Sequence, residues 1–300
     1  MPQAGPCIII CAVEILAPES WEEALAVKAA NPDAVPIAGG TDVMVELNFD
    51  RMRPAAMLDL TRVAALSEWG ADDGWLRVGA GVSYTRIIDE LGDRLPSLAV
   101  ASRTVGSPQI RNRGTVGGNL GTASPAGDAL PPLYVADAEV ELASTGGTRR
   151  VPVAEFITGP KRTSAREDEL IAAFHVPAAQ GAQQFAKIGT RNAMVIAVCS
   201  LALAIWPERR AVRACLGSAG PTPLPATEAE AFIAGVLDEE ALWESRRPIG
   251  DSALRRFGEL VAGAARPIDD VRGSAAYRSH ALAVLGRRTL SWAWEEQRCA

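Results

Sequence analysis

The chain is poor in histidine, cysteine and aromatic residues, and each shortage closes off a class of chemistry. Only His175 and His280 occur among 300 residues, too few for a conventional zinc centre. The five cysteines (Cys7, Cys11, Cys199, Cys215 and Cys299) are odd in number and irregularly spaced. No four of them have iron–sulfur spacing, and the pattern suits reduced thiols in a cytoplasmic chain. Cys7-x-x-x-Cys11 reads as apolar filler in an opening strand or an extension rather than as a metal pair. Aromatics at 5% leave Ala, Val and Leu to fill the core that 48% hydrophobic content implies.

No apolar run approaches the roughly 20 residues needed to span a bilayer. The stretch Cys7 to Val13 is too short, and no basic segment precedes it, so it makes a poor signal peptide. The net charge of -6 argues against a nucleic-acid partner, which would leave a basic stripe. The arginine pairs at 149–150, 209–210, 246–247, 255–256 and 287–288 are scattered among acids and read as solvated faces. Familiar catalytic signatures are missing too. Gly79-Ala80-Gly81 is followed by Tyr84 where G-x-G-x-x-G needs its third glycine. There is no G-x-x-x-x-G-K-[ST], no G-x-S-x-G and no H-E-x-x-H, so hydrolase chemistry has no support.

What the chain does have is two loops of small residues. The first is Pro36-Ile37-Ala38-Gly39-Gly40-Thr41-Asp42, and the second runs from Arg113 through Gly114-Thr115-Val116-Gly117-Gly118-Asn119 to Asp128. Glycine permits left-handed backbone and close approach to a ligand. Successive N–H groups in such turns converge on anions. Gly39, Gly40, Gly117 and Gly118 can present backbone donors to phosphate, and Thr41, Thr115 and Asn119 can add side-chain donors. Asp42 and Asp128 can accept from ribose or ribityl hydroxyls. Either loop alone could be a plain turn; the two together point to a dinucleotide held from both sides.

Ser20 with Glu23 predicts a capped helix up to Asn31-Pro32-Asp33. A short strand over 34–38 then delivers the first loop. Residues 42–49 continue as helix or strand, the pattern leaving both open. Strands are expected at 57–60 and 76–82, helices at 83–91 and 98–105, and one long ordered loop from Gly106 to Asp128. Strands at 138–142, 150–153 and 170–177 complete the first part. The proposed division is 1–178, with lobes of about 1–60 and 61–178, then 182–300. The second part is expected to carry strands at 184–188, 197–204 and 212–217. Helices should follow at 227–233, 251–264 and 277–296, the last with apolar residues at helical spacing.

The segments Ile37-Ala38-Gly39-Gly40-Thr41-Asp42, Gln109 to Asn119 and Thr122 to Asp128 resemble the FAD-binding medium subunit of molybdenum hydroxylases, the family of xanthine and carbon monoxide dehydrogenases. Further likeness lies in Asp168-Glu169-Leu170-Ile171, Lys187 to Met194 and Pro267 to Gly273, so it covers nearly the whole chain. The resemblance implies an α+β fold: a two-lobed FAD-binding domain of the PCMH type, then a smaller α+β domain with a three-stranded antiparallel sheet. FAD would lie between the lobes, gripped by Ile37, Ala38, Gly39, Gly40, Thr41, Asp42 and Val43 and by Thr115, Val116, Gly117, Gly118 and Asn119. Asp128, Leu170 and Lys187 also fall at family FAD contacts, with Leu170 near the flavin ring and Lys187 near its polar edge.

The same resemblance implies a relay. The chain would take electrons from a small iron–sulfur subunit, beside a large molybdopterin subunit in a heterohexamer, and pass them to NAD or another acceptor. With no histidine near either loop, non-covalent FAD is expected. Val195 stands where many relatives carry Asp, and Met1 to Cys7 is longer than usual, reading as a disordered lead or a misplaced start. Residues 43–49 and 187–199, with the Pro267–Gly273 segment, look most like xanthine dehydrogenase flavin subunits of actinobacterial type, which points to purine oxidation. Carbon monoxide, aldehyde or N-heterocycle dehydrogenases are the alternatives within the family. A stand-alone flavoprotein oxidoreductase and an assembly subunit without FAD are the alternatives outside that reading.

Overall fold

The computed structural model describes residues 13–178 and 181–300. Cys7, Cys11 and the N-terminal lead therefore lie outside the described residues.

The first lobe is β1 (Glu14–Leu16), α1 (Trp21–Ala30), β2 (Val35–Ile37), α2 (Val43–Asn48) and β3 (Ala56–Asp59). Both β1 and β2 pair in parallel with β3, which lies between them. Parallel neighbours need a crossover, and α1 and α2 provide it. Ser20 caps α1 by accepting from the Glu23 N–H at 3.1 Å. The Glu23 carboxylate in turn accepts from the Glu19 N–H, one residue before the cap. The buried Lys28 donates to the carbonyls of Pro32 and Ala34 at 2.6 and 2.9 Å, fixing the turn that leads into β2. Residues 42–49, which the pattern left open, form the helix α2.

The second lobe opens with β4 (Trp69–Asp72), β5 (Trp75–Gly79), α3 (Tyr84–Glu90), α4 (Pro96–Arg103), α5 (Pro108–Arg113), α6 (Val116–Thr122) and α7 (Leu130–Val135). It continues with β6 (Glu139–Ser144), β7 (Gly147–Pro152), α8 (Val153–Phe156), β8 (Ile157–Gly159), β9 (Arg162–Thr163) and β10 (Leu170–Pro177). Its main sheet is antiparallel, in the order β4-β5-β10-β6-β7. The apolar run Leu170 to Val176 takes the centre, where both faces are covered.

The expected long loop from Gly106 to Asp128 is not a loop: it contains α5 and α6. Ser107 caps α5, with Pro108 in its first turn, and Thr115 caps α6 by accepting from the Gly118 N–H at 2.9 Å. Three glycines in seven residues of α6 look like loop composition, because glycine costs helix stability. The structure gives one of them a steric reason: a Cβ on Gly117 would lie 2.5 Å from the Ala80 carbonyl oxygen.

The C-terminal domain holds β11 (Gln183–Ile188), β12 (Cys199–Trp206), β13 (Ala211–Gly217), β14 (Leu224–Pro225), α9 (Thr227–Glu239), α10 (Leu242–Ser245), α11 (Asp251–Ala264) and α12 (Ala275–Cys299). Its antiparallel sheet has four strands in sequence order, where the family resemblance implied three. The fourth is β14, which pairs Leu224 and Pro225 with Leu216 and Cys215. Proline lacks a ladder donor and is confined to edge strands, so Pro221-Thr222-Pro223-Leu224-Pro225 reads as a turn.

Every residue of β12 is buried. Leu201, Leu203 and Ile205 pack under α9, α11 and α12. The alternate residues Ala202, Ala204 and Trp206 pack against Ala101 of α4 and Val135 of α7. A strand alternates its side chains between faces, so β12 joins the helical layer to the FAD-binding domain. Trp206 adds a hydrogen bond from its indole N–H to the Val135 carbonyl, at 3.2 Å. No helix among the described residues is long and apolar enough to cross a membrane.

Candidate functional site

A cleft of about 870 Å³ opens between the two lobes, and residues 194–196 of the C-terminal domain form part of its wall. The two small-residue loops meet at its base. A Cβ on Gly39 would overlap the Arg113 carbonyl and sit within 2.9 Å of the Gly114 Cα, so the loops touch backbone to backbone. Gly40 follows at φ +73, left-handed backbone that costs glycine little. The second loop is pinned in turn: the Tyr84 N–H donates to the Gly114 carbonyl at 3.0 Å, and Ser83 bridges Thr115.

Beyond this seam the second loop faces open space. A Cβ on Gly118 would meet only Thr115 Oγ1, at 3.1 Å, and Gly118 is exposed on the cleft wall. The Thr115 hydroxyl is occupied as a helix cap. Asn119 accepts from the Ala129 N–H at 3.2 Å and so shapes the turn that carries Asp128. Among the described residues, the Gly117 N–H has no backbone acceptor, a helix-start donor of the kind that holds anions.

Asp128 is the electrostatic centre. It is buried, and its Oδ2 takes a 2.5 Å bond from Lys187 Nζ and a longer one from the Thr104 hydroxyl. Its Oδ1 has no partner among the described residues. Burial pushes the Asp128 carboxyl up to about 6, against the opposing pull of Lys187 and Thr104. Burial, with the charges of Asp128 and Asp42 adding to it, also raises Tyr84, which keeps its phenol neutral on the cleft wall.

Twelve of the fifteen predicted site residues line the cleft: Ala38, Gly39, Gly40, Thr41, Asp42, Val43, Thr115, Gly117, Gly118, Asn119, Asp128 and Leu170. The other three stand behind it. Ile37 Cδ1 lies under Gly40, and Val116 is fully buried in the second-lobe core. Lys187 does not reach the cleft surface: its Nζ is taken up by Asp128 Oδ2 and the Thr104 carbonyl. Its charge acts on the cleft through Asp128.

The sequence reasoning missed Tyr84, the apolar lip Met194-Val195-Ile196, and an ion pair between the lobes. Lys161, in the turn of the β8–β9 hairpin, binds Glu46 of α2 at 2.6 Å, and both line the cleft. A lone Lys and a lone Glu 115 residues apart give no local signal. Tyr84 had one, sitting directly after the predicted cap Ser83. His175 pairs with Glu141 at 2.5 Å on the sheet, and neither it nor His280 lines the cleft. Among the described residues no cluster of His, Cys, Asp or Glu could hold a metal ion.

One end of the cleft is thus small-residue backbone with a free donor, and the Leu170–Ile171 wall is apolar. An orphaned buried carboxylate oxygen and an open glycine face lie within it. These features fit a dinucleotide with an extended polar chain and a flat apolar ring. Comparison with known proteins agrees. A family model for the FAD-binding domain in molybdopterin dehydrogenases matches residues 11–179, and one for the CO dehydrogenase flavoprotein C-terminal domain matches residues 184–293. The chain belongs to the FAD-binding medium subunits of the molybdenum hydroxylases.

Relatives within this family differ in the substrate they are named for. The xanthine dehydrogenase FAD-binding subunit of Escherichia coli O157:H7 is 31% identical, over 90% of this chain and 91% of its own length. The nicotinate dehydrogenase FAD-subunit of Eubacterium barkeri is 32% identical, over 79% of this chain and 84% of its own. The crystal structure of quinoline 2-oxidoreductase from Pseudomonas putida 86 superposes with a TM-score of 0.87 at 26% identity, covering 96% of this chain and 98% of the matched one.

Proposed function

We propose that this medium subunit relays electrons, taking them from iron–sulfur clusters on a small partner subunit and delivering them to NAD. The substrate would be oxidised on a large molybdopterin subunit, within a cytoplasmic heterohexamer. When bound, FAD supplies the interconversion of one-electron and two-electron transfer. The residues of this chain bind and orient it. The backbone of Ile37–Val43 and Thr115–Asn119 follows the pyrophosphate and ribityl chain. Asp128 Oδ1 would accept from a ribityl hydroxyl, Lys187 would hold Asp128 in place through Oδ2, and Leu170 would pack beside the ring. Attachment is non-covalent.

The observation that carries this reading is the seam at Gly39 and Arg113, which brings the two loops together beneath a cleft containing an unpartnered Asp128 oxygen. Purified protein should reconstitute with FAD to near one equivalent, and acid precipitation should release all of it. A chain that takes up no FAD, or retains it covalently, refutes the binding mode.

For the reducing substrate we favour xanthine and hypoxanthine, on the resemblance of residues 43–49 and 187–199. N-heterocycle oxidation is the second reading, favoured by the nicotinate and quinoline relatives. The assembled complex should form NADH with xanthine. Turnover with an N-heterocycle, an aldehyde or carbon monoxide but not with xanthine would reassign the substrate.

A further inference from the structure

The helical layer of the C-terminal domain carries a second groove that the cofactor does not use. It lies between α11 and α12, on the side of the sheet opposite the FAD-binding domain, and encloses about 200 Å³. Arg255 of α11 and Arg287 and Arg288 of α12 surround it. Among the described residues none of the three has an ion-pair partner, although acids lie near. Glu259 is taken by Arg256 at 3.0 Å and Glu295 by Arg298 at 2.5 Å. Only Asp251 contributes a negative charge to the lining, so three cations face one anion on a chain whose net charge is -6. The buried Leu254 and the indole of Trp292, which is 49% exposed, share the lining.

Arginine and tryptophan are the residues most enriched where interfaces are strongest, and an apolar centre ringed by charges is the usual anatomy. A second copy of this chain is a poor occupant. Two-fold packing places the same patch on both sides and would set arginines against arginines. A small anion would meet the guanidinia but leave the exposed indole of Trp292 uncovered. A segment bearing carboxylates and one apolar anchor satisfies both.

We propose that the α11–α12 groove docks an acidic segment of a partner subunit, with its carboxylates on Arg255, Arg287 and Arg288 and an apolar side chain against the indole of Trp292. This rests on the reading that the chain works within a multi-subunit complex. Opposite charge across such an interface steers the encounter and fixes its register.

The test uses the full chain co-expressed with its small and large partner subunits and purified through a tag on this chain. Arg287→Glu with Arg288→Glu should leave FAD content and thermal unfolding at wild-type values, because both side chains are exposed. Partner recovery should fall by about tenfold or more. Trp292→Ala should lower it less, without altering its salt dependence. A photo-crosslinking residue introduced at Trp292 should capture a partner peptide rich in Asp and Glu. Wild-type recovery and salt dependence in the double charge reversal would overturn the inference while leaving the relay reading standing. Crosslinking to a second copy of this chain would overturn it too. So would inorganic phosphate binding that is lost in the variant while the complex still assembles. A wild-type chain that recovers no partner refutes both the docking site and the complex reading.

Discussion

Gly39 and Gly118 both lie in the cofactor loops, yet the structure gives them different work, and substitution should separate them. A Cβ on Gly39 would overlap the Arg113 carbonyl and crowd the Gly114 Cα. Both are backbone and cannot rotate away, so the lobes must part. Overpacking of this kind costs about 1–3 kcal/mol, and we expect Gly39→Ala to lower the melting temperature of the FAD-free protein by roughly 3–10 °C. A Cβ on Gly118 would meet only Thr115 Oγ1 and otherwise point into the cleft. Gly118→Val should therefore leave FAD-free stability within about 1 kcal/mol of wild type, while its branched side chain fills space the cofactor needs. FAD affinity should drop at least about 100-fold, or ~3 kcal/mol. Differential scanning calorimetry on apo protein and FAD titration by fluorescence read the two effects independently. An apo Gly39→Ala protein that melts with wild type would refute the seam. Retention of FAD by Gly118→Val would show that the second loop does not face it.

Asp128 should make apo stability depend on pH. Its folded value of about 6 lies above the ordinary 3.8, so its contribution is fully present below pH 4 and is lost as pH rises through 6, by about 3 kcal/mol. Urea unfolding at pH 4.5 and 7 should show this slope in wild type, and Asp128→Asn should lack it; equal slopes would refute the assignment. Lys187→Met strands a buried carboxylate and should cost about 3–5 kcal/mol. The double change with Asp128→Asn should recover part of that loss, and strict additivity in the double-mutant cycle would argue against a coupled pair. Lys161→Ala opens the Glu46 bridge between the lobes and should speed FAD release about threefold. An unchanged rate in stopped-flow exchange would mean the bridge does not restrain the lobes.

Local rules reached the elements but not the seams between them. The capping residues Ser20 and Ser83 and the apolar run of β10 are periodicity and cap chemistry, and these the chain states outright. Residues 106–128 were misread because glycine count argues for a loop. Gly117 sits in a helix for a steric reason, its approach to Ala80, that only tertiary structure reveals. The strand β14 hid among prolines for a similar reason, since an edge position excuses what a central one forbids. Within the site, the glycines and Asp128 were legible because few other roles suit them together. The displacement of Lys187 behind Asp128 was not, because which end of a long side chain meets which carboxylate is fixed by packing between domains. The Lys161–Glu46 pair depends on two lobes closing over a gap and leaves no periodic trace.

The double burial of β12 has a consequence for how the protein is made. Half of that strand packs against α4 and α7, and β11 carries the lysine that holds Asp128. A nascent chain stopped near residue 178 would own both glycine loops but neither of these supports. Cofactor capture should then wait until the ribosome has released the sheet that follows. Stalled chains ending at 178 should release FAD on washing, whereas chains extended through α12 should retain it.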